Sequence, residues 1–252
     1  MCRSKADGGT RCPAHLRQMR VERFAASDSA WLQNNSDRSS NSPGSLLDEF
    51  GEDYGAAALN IGLRAVEAEP PITVDLLAVI PAHWHTSGME HRVKSPTSIA
   101  RKLVKQTGEV ADDIPIIAND FHDALRYTYV APDAEGFSDG VRDILTGLIQ
   151  RGYVLHRIDN SFLPGNTYMG LHAVSGNRVI AFEIQFHTEQ SHRIKKTTDA
   201  LYHEVRDPET EPDVVRTHRD AMRAASAQIV IPDGLDELKV DGVTSEPRKR
   251  GR

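Results

Sequence analysis

The stretch from Asn166 to Thr188 constrains the fold most, because its pattern is typical of a β-hairpin. It predicts a first strand around Tyr168–Ser175, a turn at Gly176-Asn177 and a second strand over Arg178–Thr188. A glycine beside an asparagine favours a two-residue turn between strands. Two neighbouring antiparallel strands are therefore expected in the interior of a sheet.

The second strand of this hairpin alternates strictly between apolar and polar residues. Successive side chains of a strand point to opposite sides of the sheet, so one face is predicted to be buried; it consists of Ile180, Phe182, Ile184 and Phe186. The opposite face carries an acid, an amide and an imidazole: Glu183, Gln185 and His187. The first strand adds Tyr168 and His172 at matching period-two spacing. This polar face is unusual for a structural strand and indicates a functional surface.

Composition limits the class of protein. A chain of 252 residues with 39% hydrophobic and 26% charged residues suits one globular domain with disordered ends. The formal net charge of -6 gives no overall attraction for nucleic acid, so no DNA partner is expected. No apolar run is long enough for a bilayer and no hydrophobic secretory segment begins the chain, so we expect a cytoplasmic protein without a membrane partner.

The polarity of the chain changes at two positions. Residues 1–44 are polar and lack periodicity, which predicts a disordered N-terminal extension. Residues 45–232 are predicted to form the folded domain, and residues 233–252 a polar, basic tail. The two cysteines, Cys2 and Cys12, lie in the extension with His15. Their spacing is not that of a standard zinc site, and ordinary thiols in a solvated tail are the preferred interpretation.

Helices and strands follow from apolar spacing and capping residues. Helical stripes run from Leu46 until Pro70 and Pro71, which are expected to end that region. The HxH at His83 and His85 is interpreted as a partly exposed cap rather than a metal site. Further predicted elements are strands at Leu125–Val130 and Tyr153–Ile158 and helices at Phe137–Gln150, Thr188–Val205 and Asp213–Ala227. This order predicts an α/β (α+β) fold, a mixed β-sheet flanked by helices.

A helix start with several cations precedes the first of these strands. Ser95 is a good N-cap and Pro96 suits the first helical position, while Gly108 is expected to close the helix. The residues around this start are basic or carry hydroxyl groups: Arg92, Lys94, Ser98 and Lys102. A helix N-terminus with such neighbours binds polyphosphates well. The spacing alone leaves a solvated basic face equally open.

Two acids, Asp120 and Asp123, lie just before the strand at Leu125–Val130. Acids at strand ends are common in loops, so the sequence pattern by itself favours a structural interpretation of both aspartates.

Four segments together resemble the synthetase domain of the RelA/SpoT family over roughly residues 90–206. They are RVKSPTSIARKL, DALRYT, TYMGLH and FEIQFHT. The resemblance implies a nucleotidyltransferase-like fold. It also implies an ATP-dependent pyrophosphokinase that transfers pyrophosphate to the ribose 3′-hydroxyl of a guanosine nucleotide.

The resemblance also implies residue roles, motif by motif. The residues expected to bind ATP are Arg92, Lys94, Ser98 and Lys102. Catalysis and Mg²⁺ are assigned to Asp123 and Glu183, with Glu183 activating the attacking hydroxyl. The acceptor is assigned to Tyr168, which stacks on the base, together with His172 and Gln185.

Three positions depart from the family pattern. His187 stands where the family has arginine, Thr167 where it has glycine, and neither Asp120 nor Asp123 has the usual spacing before Arg126. The departures leave two further functions open beside alarmone synthesis. One is the modification of adenosine nucleotides or of the 3′ end of tRNA, as in toxic small members of the family. The other is a non-catalytic nucleotide-binding or interaction module of the same fold.

Overall fold

The computed structural model describes residues 43–109, 114–207 and 209–248. Contacts between residues divide the chain into two compact units. The first runs up to Pro70 and resumes over Glu90–Leu125, and the second consists of Pro71–Met89 and Arg126–Arg252. The predicted extension and its Cys2, Cys12 and His15 lie outside the described residues.

The described residues form helices and strands in a mixed order. The helices are α1 (Pro43–Ala78), α2 (Pro96–Glu109), α3 (Ile114–Asn119), α4 (Phe137–Gln150), α5 (Glu189–Arg206) and α6 (Pro212–Ser226). The strands are β1 (His85–Ser87), β2 (Arg126–Ala131), β3 (Val154–Asn160), β4 (Leu171–Gly176), β5 (Ala181–Thr188), β6 (Lys239–Val240) and β7 (Val243–Pro247). No helix among these residues is long and apolar enough to cross a membrane.

The second unit contains a seven-stranded sheet in the order β1-β2-β5-β4-β3-β7-β6. β2 pairs parallel with β5, and β3 pairs parallel with β7. The other neighbouring strands run antiparallel. The prediction of a mixed sheet flanked by helices is confirmed.

The hairpin exists, but its predicted turn is wrong. Gly176 pairs with Ala181, so residues 177–180 form the loop. The side-chain oxygen of Asn177 accepts hydrogen bonds from the N–H groups of Val179 and Ile180, at 2.8 and 3.1 Å. An asparagine that caps its own loop in this way favours a longer connection than the dipeptide alone suggests. The predicted first strand also begins later, at Leu171, so Tyr168 precedes β4.

The alternation in β5 has the predicted consequence for burial. The apolar side chains Phe182, Ile184 and Phe186 are fully buried. Phe182 makes edge contacts with Tyr127 and Tyr153, at centroid distances of 6.1 and 5.5 Å. Burying aromatic and branched side chains is the main favourable term in folding, so this face of the sheet supplies the core of the second unit.

The helix predictions are confirmed at four starts and wrong at one end. Helices α2, α4, α5 and α6 begin within one residue of the predicted positions. The expected end at Pro70 and Pro71 is wrong, because α1 continues to Ala78. Proline weakens a helix locally. Ile72 and Leu76, one turn apart, are buried, and their burial outweighs that cost.

In the first unit, α2 packs through Ile99 and Leu103, which are both fully buried. Its start is held to the end of the segment before β2: Val93 forms a bridge with Leu125, and the N–H of Lys94 donates to the carbonyl of Ala124 at 2.9 Å. Two short backbone segments of the first unit are therefore fixed beside each other.

The C-terminal region differs from the predicted polar tail. β7 pairs with β3, so part of residues 233–252 belongs to the sheet. The N–H of Arg248 donates to the carbonyl of Asn160, and its guanidinium forms an ion pair with Asp159. The segment VTSEP is short and half polar, which hides a strand from periodicity.

A substitution at Thr188 tests the capping box where the hairpin is followed by α5. The Thr188 hydroxyl accepts from the N–H of Ser191, and the Ser191 hydroxyl accepts from the N–H of Thr188, both at 3.1 Å. We expect Thr188→Ala to lower the free energy of unfolding by about 1 kcal/mol, because this capping box is lost. Urea unfolding followed by circular dichroism measures the change. Thr197→Ala, at an exposed position of α5, is the control and should change stability little; equal losses in both variants would contradict the account.

Candidate functional site

In the first unit, Asp123 lies between two ammonium groups. Lys94 donates to one carboxylate oxygen at 2.9 Å and Lys102 to the other at 2.7 Å. The Asp123 side chain is 12% exposed, and the lysines are 24% and 29% exposed. The structure thus brings together three of the residues predicted from the sequence to bind ATP or metal.

The start of α2 has the predicted capping geometry beside this cluster. The Ser95 hydroxyl accepts from the N–H of Ser98 at 3.3 Å and donates to the Ser98 hydroxyl at 3.0 Å. Arg92 forms an ion pair with Glu69. The first-turn N–H groups and the positive end of the helix favour an anion at this position.

The two lysines control the charge of Asp123. Burial disfavours its ionised form, but the charges and hydrogen bonds of Lys94 and Lys102 outweigh burial and lower the pKa of Asp123 below its usual value. Lys102 also lies over the Phe121 ring, 4.8 Å from its centroid. At neutral pH, the cluster therefore combines one carboxylate with two cations and carries a positive charge.

Asp123 and Glu183, the two carboxylates predicted to bind Mg²⁺, are each held by neighbouring side chains. The described residues contain no group of three or more His, Cys, Asp or Glu side chains arranged to hold a metal ion. Both oxygens of Asp123 are already bound by ammonium groups, and Glu183 is held by neighbours of its own. Mg²⁺ prefers several oxygen ligands in an octahedral arrangement. Asp120 is exposed; its backbone carbonyl is hydrogen-bonded to His122, and its N–H donates to the carbonyl of Ile116.

In the second unit, the polar face of β5 holds Glu183 among polar neighbours. Gln185 donates to one Glu183 oxygen at 2.8 Å, and His172 Nδ1 lies 3.3 Å from the other. Arg126 is the register partner of Glu183 on β2. Glu183 is only 15% exposed and His172 only 7%. The parallel pairing of β2 with β5 thus places a cation beside the carboxylate.

These neighbours keep Glu183 ionised. Burial disfavours the charged carboxylate, but His172, Arg126 and Gln185 together hold the pKa of Glu183 well below its ordinary value. An ionised carboxylate on a largely buried face is available to accept a hydrogen bond or a proton. This is the chemical property expected of a group that orients and activates a hydroxyl.

Tyr168 connects the two histidines of this face. Its hydroxyl is hydrogen-bonded to His172 Nε2 at 2.7 Å and to His187 Nε2 at 2.9 Å. A Cβ atom on Gly170 would lie 2.6 Å from the Tyr168 oxygen and 2.7 Å from His187 Cε1. Gly170 is therefore needed for Tyr168 and His187 to approach each other.

His187 is fully buried and neutral. Burial, with the nearby charge of Lys195 and the imidazoles of His172 and His192, lowers its pKa well below the ordinary value. Burial likewise lowers the pKa of His192 to about 4. His187 Nδ1 is hydrogen-bonded to the Ser191 hydroxyl at 3.0 Å.

Lys195 on α5 is a further cation near Glu183. It donates to the side-chain oxygen of Gln185 at 3.5 Å. Burial and the charge of Arg126 lower the pKa of Lys195, while Asp199 and Glu183 oppose the shift. An ammonium beside a guanidinium favours an anionic ligand on this part of the second unit.

The structure groups the predicted residues within each unit and adds others. Lys94, Lys102 and Asp123 are in direct contact in the first unit, whereas Arg92 binds Glu69 instead. The predicted acceptor residues Tyr168, His172 and Gln185 join Glu183 in the second. Sequence reasoning missed the contributions of Arg126, Gly170, Ser191 and Lys195 to the site. Only the glycine within TYMGLH gave a signal, since glycine in a strand entry marks a close approach.

No family model and no curated protein matches the chain. Solved structures do. Small alarmone synthetase 1 from Bacillus subtilis, bound to its product pppGpp, is 14% identical, with 65% of this chain and 88% of that one covered and a TM-score of 0.45.

Two further structures are similar to comparable degrees. A GTP pyrophosphokinase family protein from Streptococcus pneumoniae is 14% identical, with 72% and 87% of the two chains covered and a TM-score of 0.41. The Type VI effector Tas1, in complex with its immunity protein, is 20% identical, with 66% and 92% covered and a TM-score of 0.39. Likeness at this level assigns no residue role or substrate to this chain.

Asp123→Asn tests the charge balance of the lysine cluster. At neutral pH we expect it to lower the free energy of unfolding by on the order of 1–3 kcal/mol, because two partly buried ammonium groups lose their counter-ion. Because the pKa of Asp123 is lowered on folding, its contribution is complete above the unfolded value of 3.8 and is lost as pH falls through the folded value. The difference from wild type in urea unfolding should therefore shrink in acid. A difference that is constant with pH would contradict this account.

Proposed function

We propose that the protein is an ATP-dependent pyrophosphokinase that transfers a pyrophosphoryl group to the ribose 3′-hydroxyl of a guanosine nucleotide. The observation that carries the proposal is the ionised Glu183 on the buried polar face of β5. Pyrophosphoryl transfer depends mainly on positioning the attacking hydroxyl, and a carboxylate that is ionised at neutral pH and held by Gln185 can accept the hydrogen bond of that hydroxyl in a fixed geometry.

The first unit supplies cations for the phosphates of ATP. Lys94 and Lys102 share a single carboxylate, so the cluster has one more positive than negative charge. Ser95 and Ser98 place hydroxyl groups at the positive end of α2. Catalysis of phosphoryl transfer consists mainly of positioning and of neutralising charge, which such a cluster provides. We assign Arg92 a supporting role there, next to Glu69.

Magnesium enters this proposal as part of the substrate. The Mg²⁺ that the reaction requires is proposed to arrive with ATP as the MgATP complex, since Mg²⁺ is usually bound largely by substrate phosphates and water. Asp123 itself holds Lys94 and Lys102 in place.

The second unit supplies the acceptor side. Tyr168 offers a half-buried aromatic ring, and base stacking on such a ring contributes about 1–3 kcal/mol. His172 and Gln185 hold the carboxylate in place. In the reaction, the 3′-oxygen of the acceptor forms a bond to the β-phosphorus of ATP and the bond from that phosphorus to the α-phosphate oxygen breaks. AMP leaves, and Glu183 takes the hydroxyl proton.

Glu183→Gln tests this proposal most simply. The amide keeps the size of the side chain but cannot take a proton, so we expect the rate of product formation to fall by on the order of 10²–10⁴-fold. Purified protein is incubated with MgATP and GDP or GTP, and the nucleotides are separated by anion-exchange chromatography. Glu189→Gln, on the exposed first turn of α5, is the matched control and should retain the rate.

The same assay separates the alternative acceptors. Product with AMP or with tRNA, and none with GDP or GTP, would move the activity to the adenosine or tRNA class. Nucleotide binding without product for any acceptor would overturn the proposal and favour a non-catalytic module. Equal rates for Glu183→Gln and wild type would remove the role assigned to the carboxylate.

A further inference from the structure

We propose that His187 is a positioning residue, which fixes the Tyr168 hydroxyl and, through it, His172 and Glu183. This inference rests on the proposed function, since it describes how the base of that reaction is held. His187 touches neither substrate nor Glu183 in this scheme. It acts through an unbroken line of polar contacts within the second unit.

The line of contacts has four links. Ser191 Oγ lies 3.0 Å from His187 Nδ1, and His187 Nε2 lies 2.9 Å from the Tyr168 hydroxyl. That hydroxyl lies 2.7 Å from His172 Nε2. His172 Nδ1 lies 3.3 Å from a Glu183 oxygen and forms no hydrogen bond within the described residues, although it is buried. A buried ring nitrogen without a hydrogen bond is rare, so the carboxylate facing it is its natural partner.

The hydrogen-bonding capacity of the groups determines which atom donates in each contact of this line. An ionised carboxylate only accepts, so we assign His172 the tautomer with its N–H at Nδ1, and Nε2 then accepts from the Tyr168 hydroxyl. The tyrosine oxygen must then accept from His187 Nε2. A neutral imidazole carries one N–H, so His187 Nδ1 accepts from the Ser191 hydroxyl, which also lies within donating distance of the Thr188 carbonyl, at 3.2 Å. In each contact, the group farther from Glu183 is therefore the donor and the group nearer to it is the acceptor.

The far end of the line is rigid. Ser191 belongs to the capping box at the start of α5, where its hydroxyl also accepts from the N–H of Thr188. His187 is 0% exposed, and the absence of a Cβ at Gly170 allows its ring to approach Tyr168. The start of α5 therefore fixes the imidazole of His187. This ring in turn fixes the hydroxyl group of Tyr168, whose side chain would otherwise rotate.

Kinetics of four variants test the proposal. We expect His187→Phe, which keeps the ring but removes both nitrogens, to lower kcat about tenfold or more, with the KM for ATP unchanged, because misplaced groups cost up to ~10² in rate. Tyr168→Phe keeps the ring for stacking and should lower kcat similarly. The double variant should be no worse than either single one, since both break the same line. His187→Gln, which restores a donor near Nε2, should recover part of the rate.

His192→Phe is the matched control. His192 is also a buried imidazole, 5.8 Å from His187 between ring centroids, but it does not belong to the line. We expect its kcat to be that of wild type. Circular dichroism and thermal melts identify any variant that fails to fold, and only folded variants enter the comparison. Additive losses in the double variant, or a wild-type kcat for folded His187→Phe, would overturn the proposal.

Nitrogen-15 NMR of the histidine rings tests the direction of the line without any substrate. We expect His187 to be the Nε2–H tautomer and His172 the Nδ1–H tautomer in the wild-type protein, with the His187 signals shifted in Tyr168→Phe. The opposite tautomer at His187 would contradict the proposal, whatever the enzyme assay shows. Expected tautomers without product from any acceptor would instead overturn the proposed function and leave the line of contacts intact.

Discussion

The charge of Glu183 is the constraint on which the second unit depends. A largely buried carboxylate is unfavourable unless cations and donors surround it, since desolvation of a charge costs far more than desolvation of a neutral group. Here the parallel pairing of β2 with β5 supplies Arg126, and the antiparallel pairing of β4 with β5 supplies His172. The order of strands in the sheet therefore decides the ionisation of the acid, and a different order would leave it uncompensated.

The first unit also contains a largely buried carboxylate, Asp123, and there two cations surround a single negative charge. Asp123 keeps two lysines close to each other despite their mutual repulsion, and the result is a compact cationic group at a helix start. A polyphosphate that binds the lysines would replace the aspartate as their counter-ion. The chain connects the two arrangements directly, because Asp123 lies three residues before Arg126, the first residue of β2.

Local physics explains which features could be predicted from the sequence. The strict alternation in β5, the Ser95-Pro96 helix start and the Thr188 cap are local signals, and the structure contains all three. The pairing of Arg126 with Glu183 depends on strand order, which no local pattern encodes. The line through His187 was equally hidden, because a histidine among apolar residues shows neither its partners nor its tautomer. The role of β7 in the sheet was missed because its five residues show no clear alternation.

The products formed from ATP test the proposed pyrophosphoryl transfer most directly. With MgATP and a guanosine nucleotide supplied, phosphorus NMR and mass spectrometry should find one AMP for each acceptor that gains two phosphorus atoms at its 3′ position. That ratio follows from attack on the β-phosphorus and from no other transfer. ADP or free pyrophosphate accumulating without a modified acceptor would show a different reaction and would contradict the account.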